Sequence, residues 1–389
     1  MIKKEIPVLL LTGYLGSGKT TLLNRLLRER SNVRFAVIVN DIGEVNIDAD
    51  LINRQGVVSL KQDNLIPLQN GCICCTLKTD LLQQLQELCV INKADANTLF
   101  DYIIIEASGI CEPLPIAQTI ASYPNVVPLD ESAIPILDCI VTVVDALRTV
   151  NEFDCGDRLT SYKSLGDKAP EEDLASLVIQ QIECCNIILL NKIDKVNSGQ
   201  VEHLKAIIRS LQNTVQIIPC TRCDVPVGEL LNTHRFSIMD LVSSPTWMSY
   251  IESDGMEEDH HEEGEALEYG IHTFVYYRRQ PFDMNRFDHF VATQWPQGVI
   301  RCKGLCYFQE EYDNCYIFEQ SGHQVELKSC GAFYATMPPQ ELQEMLDKDE
   351  SLLRDWDDTY GDRMQKLVFI GQHIDEKEIT RQLDNCLTE

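Results

Sequence analysis

Two patterns of apolar and polar positions divide the chain, and the first covers about 220 residues. Six short runs are apolar at nearly every position, which is typical of strands buried on both faces of a parallel sheet. These runs are residues 6–12, 35–39, 102–105, 139–144, 186–190 and 215–218. Helix-length segments separate them, beginning with helical spacing of leucines from Thr21 onward. The alternation predicts an α/β fold built on a mostly parallel sheet.

The pattern changes after residue 250. Residues 251–269 are acidic, contain His260 and His261, and have too few apolar residues to pack, which predicts a linker. Shorter alternating runs then follow at 271–277, 298–304, 315–318 and 367–370, with an acidic helical stretch at 338–354. We therefore predict a first domain over 1–250 and a smaller α+β domain over 270–389.

A glycine-rich segment directly follows the first apolar run. Residues 13–20, Gly-Tyr-Leu-Gly-Ser-Gly-Lys-Thr, match the pattern G-x-x-x-x-G-K-[ST] between a strand and a helix. In such a P-loop, backbone N–H groups at a helix N-terminus cradle phosphates. Lys19 is expected to reach the outer phosphates and Thr20 to bind Mg²⁺. The first domain is thus predicted to be a P-loop NTPase.

Two later segments refine the predicted nucleotide site. Glu106 ends an apolar strand and precedes Gly109, so the carboxylate can hold the magnesium shell or a water, and the glycine N–H can meet the γ-phosphate. Asn191-Lys192-Ile193-Asp194 follows another strand, and a carboxylate there can accept hydrogen bonds from the guanine N1–H and amine, which favours GTP over ATP. The residues predicted to bind nucleotide are Gly13, Gly16, Ser17, Gly18, Lys19, Thr20, Thr21, Gly109, Asn191, Lys192 and Asp194.

Three cysteines lie close together between these motifs. Cys72, Cys74 and Cys75 follow the polar segment Gln69-Asn70-Gly71, and thiolates at this density suit Zn²⁺ or Cu(I). Buried thiols or a redox pair are the alternatives. Their place between the P-loop and Gly109 predicts that metal affinity depends on the nucleotide. Cysteines elsewhere, such as the pairs 220/223 and 302/306, are interpreted as core or incidental thiols.

Composition excludes some classes of binding partner and indicates the cellular compartment. The 389 residues contain 33 Lys plus Arg and 60 Asp plus Glu, a net charge of −27, which argues against nucleic acid and anionic membrane surfaces as partners. No run approaches the roughly 18 apolar residues of a membrane span. The 16 cysteines are dispersed rather than arranged as a disulfide framework. A cytoplasmic protein is expected.

Taken together, the motifs resemble those of the CobW-type metallochaperone GTPases. The resemblance rests on the P-loop, residues 40–45 (Asn-Asp-Ile-Gly-Glu-Val), Gly71–Cys75, Glu106–Gly109 and Asn191–Asp194, and it continues into residues 301–304 (Arg-Cys-Lys-Gly) and 361–371. Residues 40–43 depart from the family's N-E-F-G, Cys302 replaces a serine, and two histidines replace a long histidine-rich loop. The short histidine loop argues against a metal-hoarding role.

The resemblance implies a GTPase that binds Zn²⁺ at Cys72, Cys74 and Cys75 and delivers it to a client metalloprotein. It also implies that Glu44 links nucleotide to metal and supplies an oxygen ligand, with Thr20 as the magnesium ligand. Lys19, Thr20, Glu44 and Glu106 are the predicted catalytic residues. Co²⁺ or Ni²⁺ insertion and a redox-sensing GTPase are the alternative hypotheses. No arginine finger is evident, so a partner or a second subunit, as in a homodimer, is a candidate for completing the site.

Overall fold

The fold was determined as a computed structural model. It describes residues 5–29, 33–39, 65–67, 73–94, 100–127, 133–153, 174–238, 245, 269–322, 324–346 and 356–388. These residues form two compact units, one composed mainly of residues before 245 and the other mainly of residues from 245 onward. The predicted boundaries at 250 and 270 stay predictions.

A seven-stranded parallel sheet forms the first unit. Its strands are β1 Glu5–Thr12, β2 Phe35–Val39, β3 Leu65–Pro67, β4 Tyr102–Glu106, β5 Ile134–Asp145, β6 Ile187–Asn191 and β7 Gln216–Pro219. Their order across the sheet is β3-β2-β4-β1-β5-β6-β7, and every neighbouring pair is parallel. The predicted α/β fold with a mostly parallel sheet is confirmed.

Helices follow the strands along this unit. They are α1 Lys19–Glu29, α2 Ile73–Ala94, α3 Pro113–Val126, α4 Ala146–Phe153, α5 Leu174–Glu183 and α6 Ser198–Leu211. In α1, Leu22, Leu23 and Leu26 are fully buried against strand residues such as Leu9 and Val141, because leucines at this spacing share one helix face. The buried leucines of α1 thus anchor the start of the helix, and with it the P-loop.

The order of strands brings separate loops to one edge of the sheet. Since the strands are parallel, all their carboxyl ends meet at the same edge, and ligands of open α/β sheets bind there. The P-loop follows β1, which lies between β4 and β5. Glu106 ends β4, Asp145 ends β5 and Asn191 ends β6. The motifs predicted from distant parts of the chain therefore share this edge.

An antiparallel five-stranded sheet forms the second unit. Its strands are β8 Ile271–Arg278, β9 Val299–Cys306, β10 Asn314–Ser321, β11 Gln324–Ala332 and β12 Gln365–Gln372, in the order β11-β10-β9-β12-β8. The accompanying helices are α7 Met284–Thr293, α8 Pro339–Leu346 and α9 Glu376–Asp384. Phe287 and Phe290 of α7 and Ile379 and Leu383 of α9 are buried in one core with the sheet. The predicted smaller α+β domain is confirmed as a fold class.

The segment Arg301–Gly304 has a structural explanation in this sheet. Arg301 and Lys303 lie on the same face of β9, and both pair with Glu319 of β10. Cys302 faces the hydrophobic core and is fully buried. A Cβ atom at Gly304 would lie 2.0 Å from the carbonyl oxygen of Lys366, so only glycine fits there. The motif therefore stabilises the sheet.

Glu319 gives a pH-dependent prediction. Burial opposes its ionisation, but Arg301, Lys303 and Lys328 outweigh burial and lower the pKa of Glu319 to about 2. A depressed pKa stabilises the folded state above the carboxyl's unfolded value, and the stabilisation is lost as pH falls from about 4.5 towards 2. Glu319→Gln is expected to lower the free energy of unfolding by about 2 kcal/mol at pH 7.

Urea unfolding followed by tryptophan fluorescence at pH 7 and pH 3 measures this effect. The difference between wild type and Glu319→Gln should shrink at pH 3, because wild-type unfolding then takes up a proton. Glu326→Gln is the matched control, since Glu326 is exposed on the edge strand β11. A difference that is the same at both pH values would contradict the ion-pair explanation.

Several expectations need correction. The acidic helical stretch predicted over 338–354 is a helix over Pro339–Leu346, and residues 347–354 lie outside the described residues. β3 and β11 were not predicted, and β5 begins at Ile134 rather than at residue 139. Residues 251–268 of the predicted linker, including His260 and His261, lie outside the described residues. In the part of the chain that the structure describes, no helix is long and apolar enough to cross a membrane.

Candidate functional site

The loop from Gly13 to Gly18 has the backbone conformation of a phosphate cradle. Gly13, Gly16 and Gly18 have φ values of +130°, +75° and +122°, which residues with a side chain rarely adopt. A Cβ at Gly13 would lie 2.3 Å from the carbonyl oxygen of Val143, and one at Gly18 would lie 2.6 Å from Nδ2 of Asn191. The glycines therefore permit both the turn and its close approach to neighbouring strands, and the loop fits a nucleotide's phosphates.

Lys19 and Thr20 begin α1 and point to the same edge of the sheet. The Lys19 side chain is almost fully buried, and its Nζ donates hydrogen bonds to the carbonyl oxygens of Gly13 at 2.7 Å and Tyr14 at 3.3 Å. Thr20 Oγ1 donates to Oε1 of the buried Glu106 at 3.1 Å. A hydroxyl and a carboxylate in contact are a donor set that Mg²⁺ favours, so these residues fit the predicted ion.

Two carboxylates, Asp101 and Glu106, lie at β4, and only one of them is close to the P-loop. Both flank β4, at opposite ends. Asp101 accepts hydrogen bonds from Nε and the backbone N–H of Arg34 at the amino end of the strand, away from the P-loop. Glu106 lies at the carboxyl end beside Thr20. Asp101 therefore precedes the strand at the end away from the P-loop.

The segment after β4 packs closely on the P-loop. A Cβ added to Gly109 would lie 2.6 Å from the backbone nitrogen of Leu15, so a side chain there would displace the loop. Gln181 of α5 is buried, and its Nε2 donates to the carbonyl oxygens of Gly109 at 3.4 Å and Cys111 at 3.3 Å. Gln181 thus holds the predicted γ-phosphate segment in place. Nothing in the sequence near Gln181 indicated this contact.

Asn191 and Lys192 tie the base-binding segment to the P-loop. Asn191 Nδ2 donates to the carbonyl oxygen of Ser17 at 2.8 Å, and its Oδ1 accepts from the backbone N–H of Cys223 at 3.0 Å. Lys192 Nζ donates to the carbonyl oxygen of Gly16 at 2.8 Å. The Asp194 side chain is 42% exposed, so its carboxylate is accessible for a base. Asp194 thus lies two residues beyond a side chain that is bonded to the P-loop.

Two buried thiols lie beneath this junction. Cys220 and Cys223 are almost completely inaccessible, and Cys223 Sγ lies 3.5 Å from the carbonyl oxygen of Gly18. Cys220 Sγ lies 3.8 Å from Oδ1 of Asn191. The hydrogen bond with Cys220, together with burial, raises the pKa of the Cys223 thiol. The same hydrogen bond lowers the pKa of the Cys220 thiol. Both side chains are buried in the core, in agreement with their interpretation as core thiols.

Only part of the predicted metal site lies within the described residues. Cys72 and Glu44 lie outside the described residues, and for Cys74 and Cys75 the backbone alone is described. The backbone of both belongs to the first turn of α2, which begins at Ile73. Across the described ranges, no group of three or more His, Cys, Asp or Glu residues has a geometry that could hold a metal.

Residues 7–219 match the family model "CobW/HypB/UreG, nucleotide-binding domain", and residues 271–387 match "Cobalamin synthesis protein cobW C-terminal domain". The protein is therefore a member of the CobW/HypB/UreG family, which confirms the resemblance of its motifs.

Curated relatives add names that concern zinc and GTP. The chain is 33% identical over 399 residues to "Zinc-regulated GTPase metalloprotein activator 1" of Dictyostelium discoideum, covering 99% of this chain and 80% of the relative. It is 28% identical over 265 residues to "Zinc chaperone CobW" of Sinorhizobium sp, covering 66% and 71%. A solved structure, Zn(II)-bound YjiA GTPase from E. coli, matches at 21% identity and a TM-score of 0.43 over 99% of this chain and 100% of that one.

Proposed function

We propose that this protein is a GTP-hydrolysing metallochaperone that binds Zn²⁺ through Cys72, Cys74 and Cys75 and transfers it to a client metalloprotein. The observation that carries the nucleotide part is the contact between Thr20 and Glu106 beside the buried Lys19. Zinc as the cargo is supported by the names of the relatives and by the soft thiolate donors in the sequence.

The described groups support a role in phosphate transfer. Mg²⁺, when bound with the nucleotide, neutralises charge on the phosphate oxygens. Thr20 and Glu106 offer it two adjacent oxygens, and Lys19 adds a positive charge within the P-loop. Asp194 offers its exposed carboxylate to the guanine base. The remaining predicted contributor, Glu44, stays a prediction.

The order of strands in the sheet supports the proposal that the cysteine segment responds to the nucleotide. Cys72, Cys74 and Cys75 follow the carboxyl end of β3, which is separated from β4 only by β2. At about 4.8 Å per strand, the end of β3 lies roughly 10 Å from the end of β4, where Glu106 contacts Thr20. The start of α2 also carries partial positive charge, which favours thiolate ligands. We infer that a movement of the segment after β4 can be transmitted through β2 to the end of β3, which the cysteine segment follows in sequence.

The decisive experiment is a zinc competition titration with a chromophoric chelator. Reduced protein is measured with Mg·GDP and then with a non-hydrolysable GTP analogue. The zinc affinity is expected to be higher with the analogue by about 5- to 150-fold, the usual size of such coupling. Co²⁺ and Ni²⁺ are titrated in parallel, and tighter binding of either than of Zn²⁺ would favour metal insertion instead.

Two variants make the titration specific. Cys74→Ala combined with Cys75→Ala is expected to abolish the nucleotide-dependent binding. Cys330→Ala is the matched control, because Cys330 is an exposed thiol on β11 of the second sheet. Equal zinc affinity in both nucleotide states would contradict gated delivery. Disulfide formation among the three thiols without metal binding would favour the redox hypothesis.

A further inference from the structure

A carboxylate that no motif singles out lies at the centre of the nucleotide edge. Asp145 is the last residue of β5 and stands beside Asn191 in the register between β5 and β6. Its side chain is only 16% exposed. Oδ2 accepts a hydrogen bond from Lys192 Nζ at 2.6 Å, and Oδ1 accepts one from the backbone N–H of Arg148 at 3.2 Å. Asp145 therefore joins the end of a strand, the start of α4 and the base-binding segment.

Lys192 is the residue through which this carboxylate reaches the P-loop. Its Nζ contacts both Asp145 and the carbonyl oxygen of Gly16, so the side chain bridges β5 and the phosphate loop. Its own backbone is left-handed, with φ of 64°, which is unfavourable for a residue with a long side chain. The two bonds of the ammonium group offset that cost and hold the backbone in this conformation.

The conformation of Lys192 sets the direction of the residues that follow. Ile193–Lys195 form a short 3-10 turn immediately after Lys192, and Asp194 lies within it. On the other side, Asn191 is bonded to Ser17 of the P-loop. The orientation of Asp194 towards a base therefore depends on Lys192 keeping its left-handed backbone and its bridge.

We propose that Asp145 is a positioning residue for guanine-nucleotide binding, which acts by holding Lys192 across the P-loop and so orients Asp194. This inference rests on the proposed GTP function. If the carboxylate is removed, the ammonium group keeps a single carbonyl partner, and since its side chain is already 36% exposed, water can replace the lost contact. The base segment and the phosphate loop are then no longer joined by this bridge.

Asp145→Asn tests the proposal with little change in shape. Asparagine caps helix N-termini as well as aspartate does, so the bond to the Arg148 N–H is retained while the negative charge is lost. The GDP affinity, measured by calorimetry, is expected to fall about 10-fold, because a charge-assisted hydrogen bond is lost. The preference for GDP over inosine diphosphate, which lacks the amine, should fall as well. In GTP hydrolysis, KM should rise while kcat changes little.

A double-mutant cycle separates positioning from general support of the fold. In the Lys192→Met background, Asp145→Asn should cause no further loss of GDP affinity, because its partner is already absent. The thermal unfolding midpoint of each variant checks folding, and Asp145→Ser, which also retains a capping group, replaces Asp145→Asn if the latter is unstable. Asp101→Asn is the matched control, since it breaks an ion pair with Arg34 at the opposite end of β4.

The outcomes are distinct. Wild-type GDP affinity in Asp145→Asn overturns the proposal, and so does a loss of the same size in the presence and absence of Lys192. An unchanged preference for GDP over inosine diphosphate also overturns the claim that Asp194 is oriented through this bridge. If wild-type protein itself does not bind GDP, the proposed GTP function fails before the role of Asp145 is in question.

Discussion

Lys19→Ala is expected to lower kcat/KM for GTP hydrolysis by on the order of 10²–10³-fold. The ammonium group lies inside the P-loop, with the side chain only 7% exposed, and its bonds are to the carbonyl oxygens of Gly13 and Tyr14. A positive charge in a buried site stabilises developing negative charge on a phosphoryl group more strongly than it would in water. Alanine removes that charge, and residues 13–20 of the P-loop contain no other lysine that could supply it.

Phosphate release from GTP at saturating Mg²⁺ measures this effect, with GDP affinity determined separately. Lys205→Ala is the control, because Lys205 lies on α6 and pairs with Glu202 on the same helix. The thermal midpoint should stay close to wild type, since the bonds of Lys19 are local to the loop. A Lys19→Ala variant that hydrolyses GTP at the wild-type rate would refute the assignment of the phosphate site.

Asp194→Asn is expected to weaken GDP binding by on the order of 10²-fold and to improve binding of xanthosine diphosphate. A carboxylate accepts hydrogen bonds from both N1–H and the exocyclic amine of guanine. An asparagine amide accepts one and donates one, which matches xanthine, where a carbonyl replaces the amine. The Asp194 carboxylate is exposed and follows Asn191 and Lys192, which are bonded to the P-loop. We therefore expect it to accept the hydrogen bonds of the guanine base.

Competition against a fluorescent GDP derivative gives both affinities in one assay. Asp101→Asn makes the same chemical change at the other end of the sheet and should leave both affinities at wild-type values. The effect of Asp194→Asn exceeds that expected for Asp145→Asn because the base loses its direct partner instead of a residue that orients it. Retention of guanine preference by Asp194→Asn would contradict this identification of the base-binding carboxylate.

Apolar content predicted the first sheet because its strands are buried on both faces. All six predicted runs are strands, and the five residues of β2, β4 and β6 are all buried. Two strands were missed for opposite reasons. β3 has only three residues, too few for a pattern, and β11 is exposed at all nine positions, so no apolar face marks it. Strands were therefore predicted from runs of buried apolar residues, and strands without such a run were not predicted.

Residues of the candidate site were likewise predicted only where they belong to a local sequence motif. Residues 13–20 were recognised because the phosphate loop is contiguous, so eight consecutive residues form the complete motif. Gln181, Asp145 and Cys223 were not assigned to the nucleotide site, because none of them belongs to a sequence motif for nucleotide binding. Cys220 and Cys223 had the spacing of a metal pair, and only their burial against Asn191 and Gly18 shows how they pack.

The sequence by itself determined the fold class, the family and the local motifs, because burial periodicity and loop chemistry are properties of neighbouring residues. Tertiary structure decided which motifs meet. The parallel order β4-β1-β5-β6 places Glu106, the P-loop, Asp145 and Asn191 side by side, although they are separated by up to about 180 residues. No local pattern encodes that order, since it depends on which strands pair. The bridge from Asp145 through Lys192 to Gly16 exists only because those pairings bring three strand ends within hydrogen-bond distance.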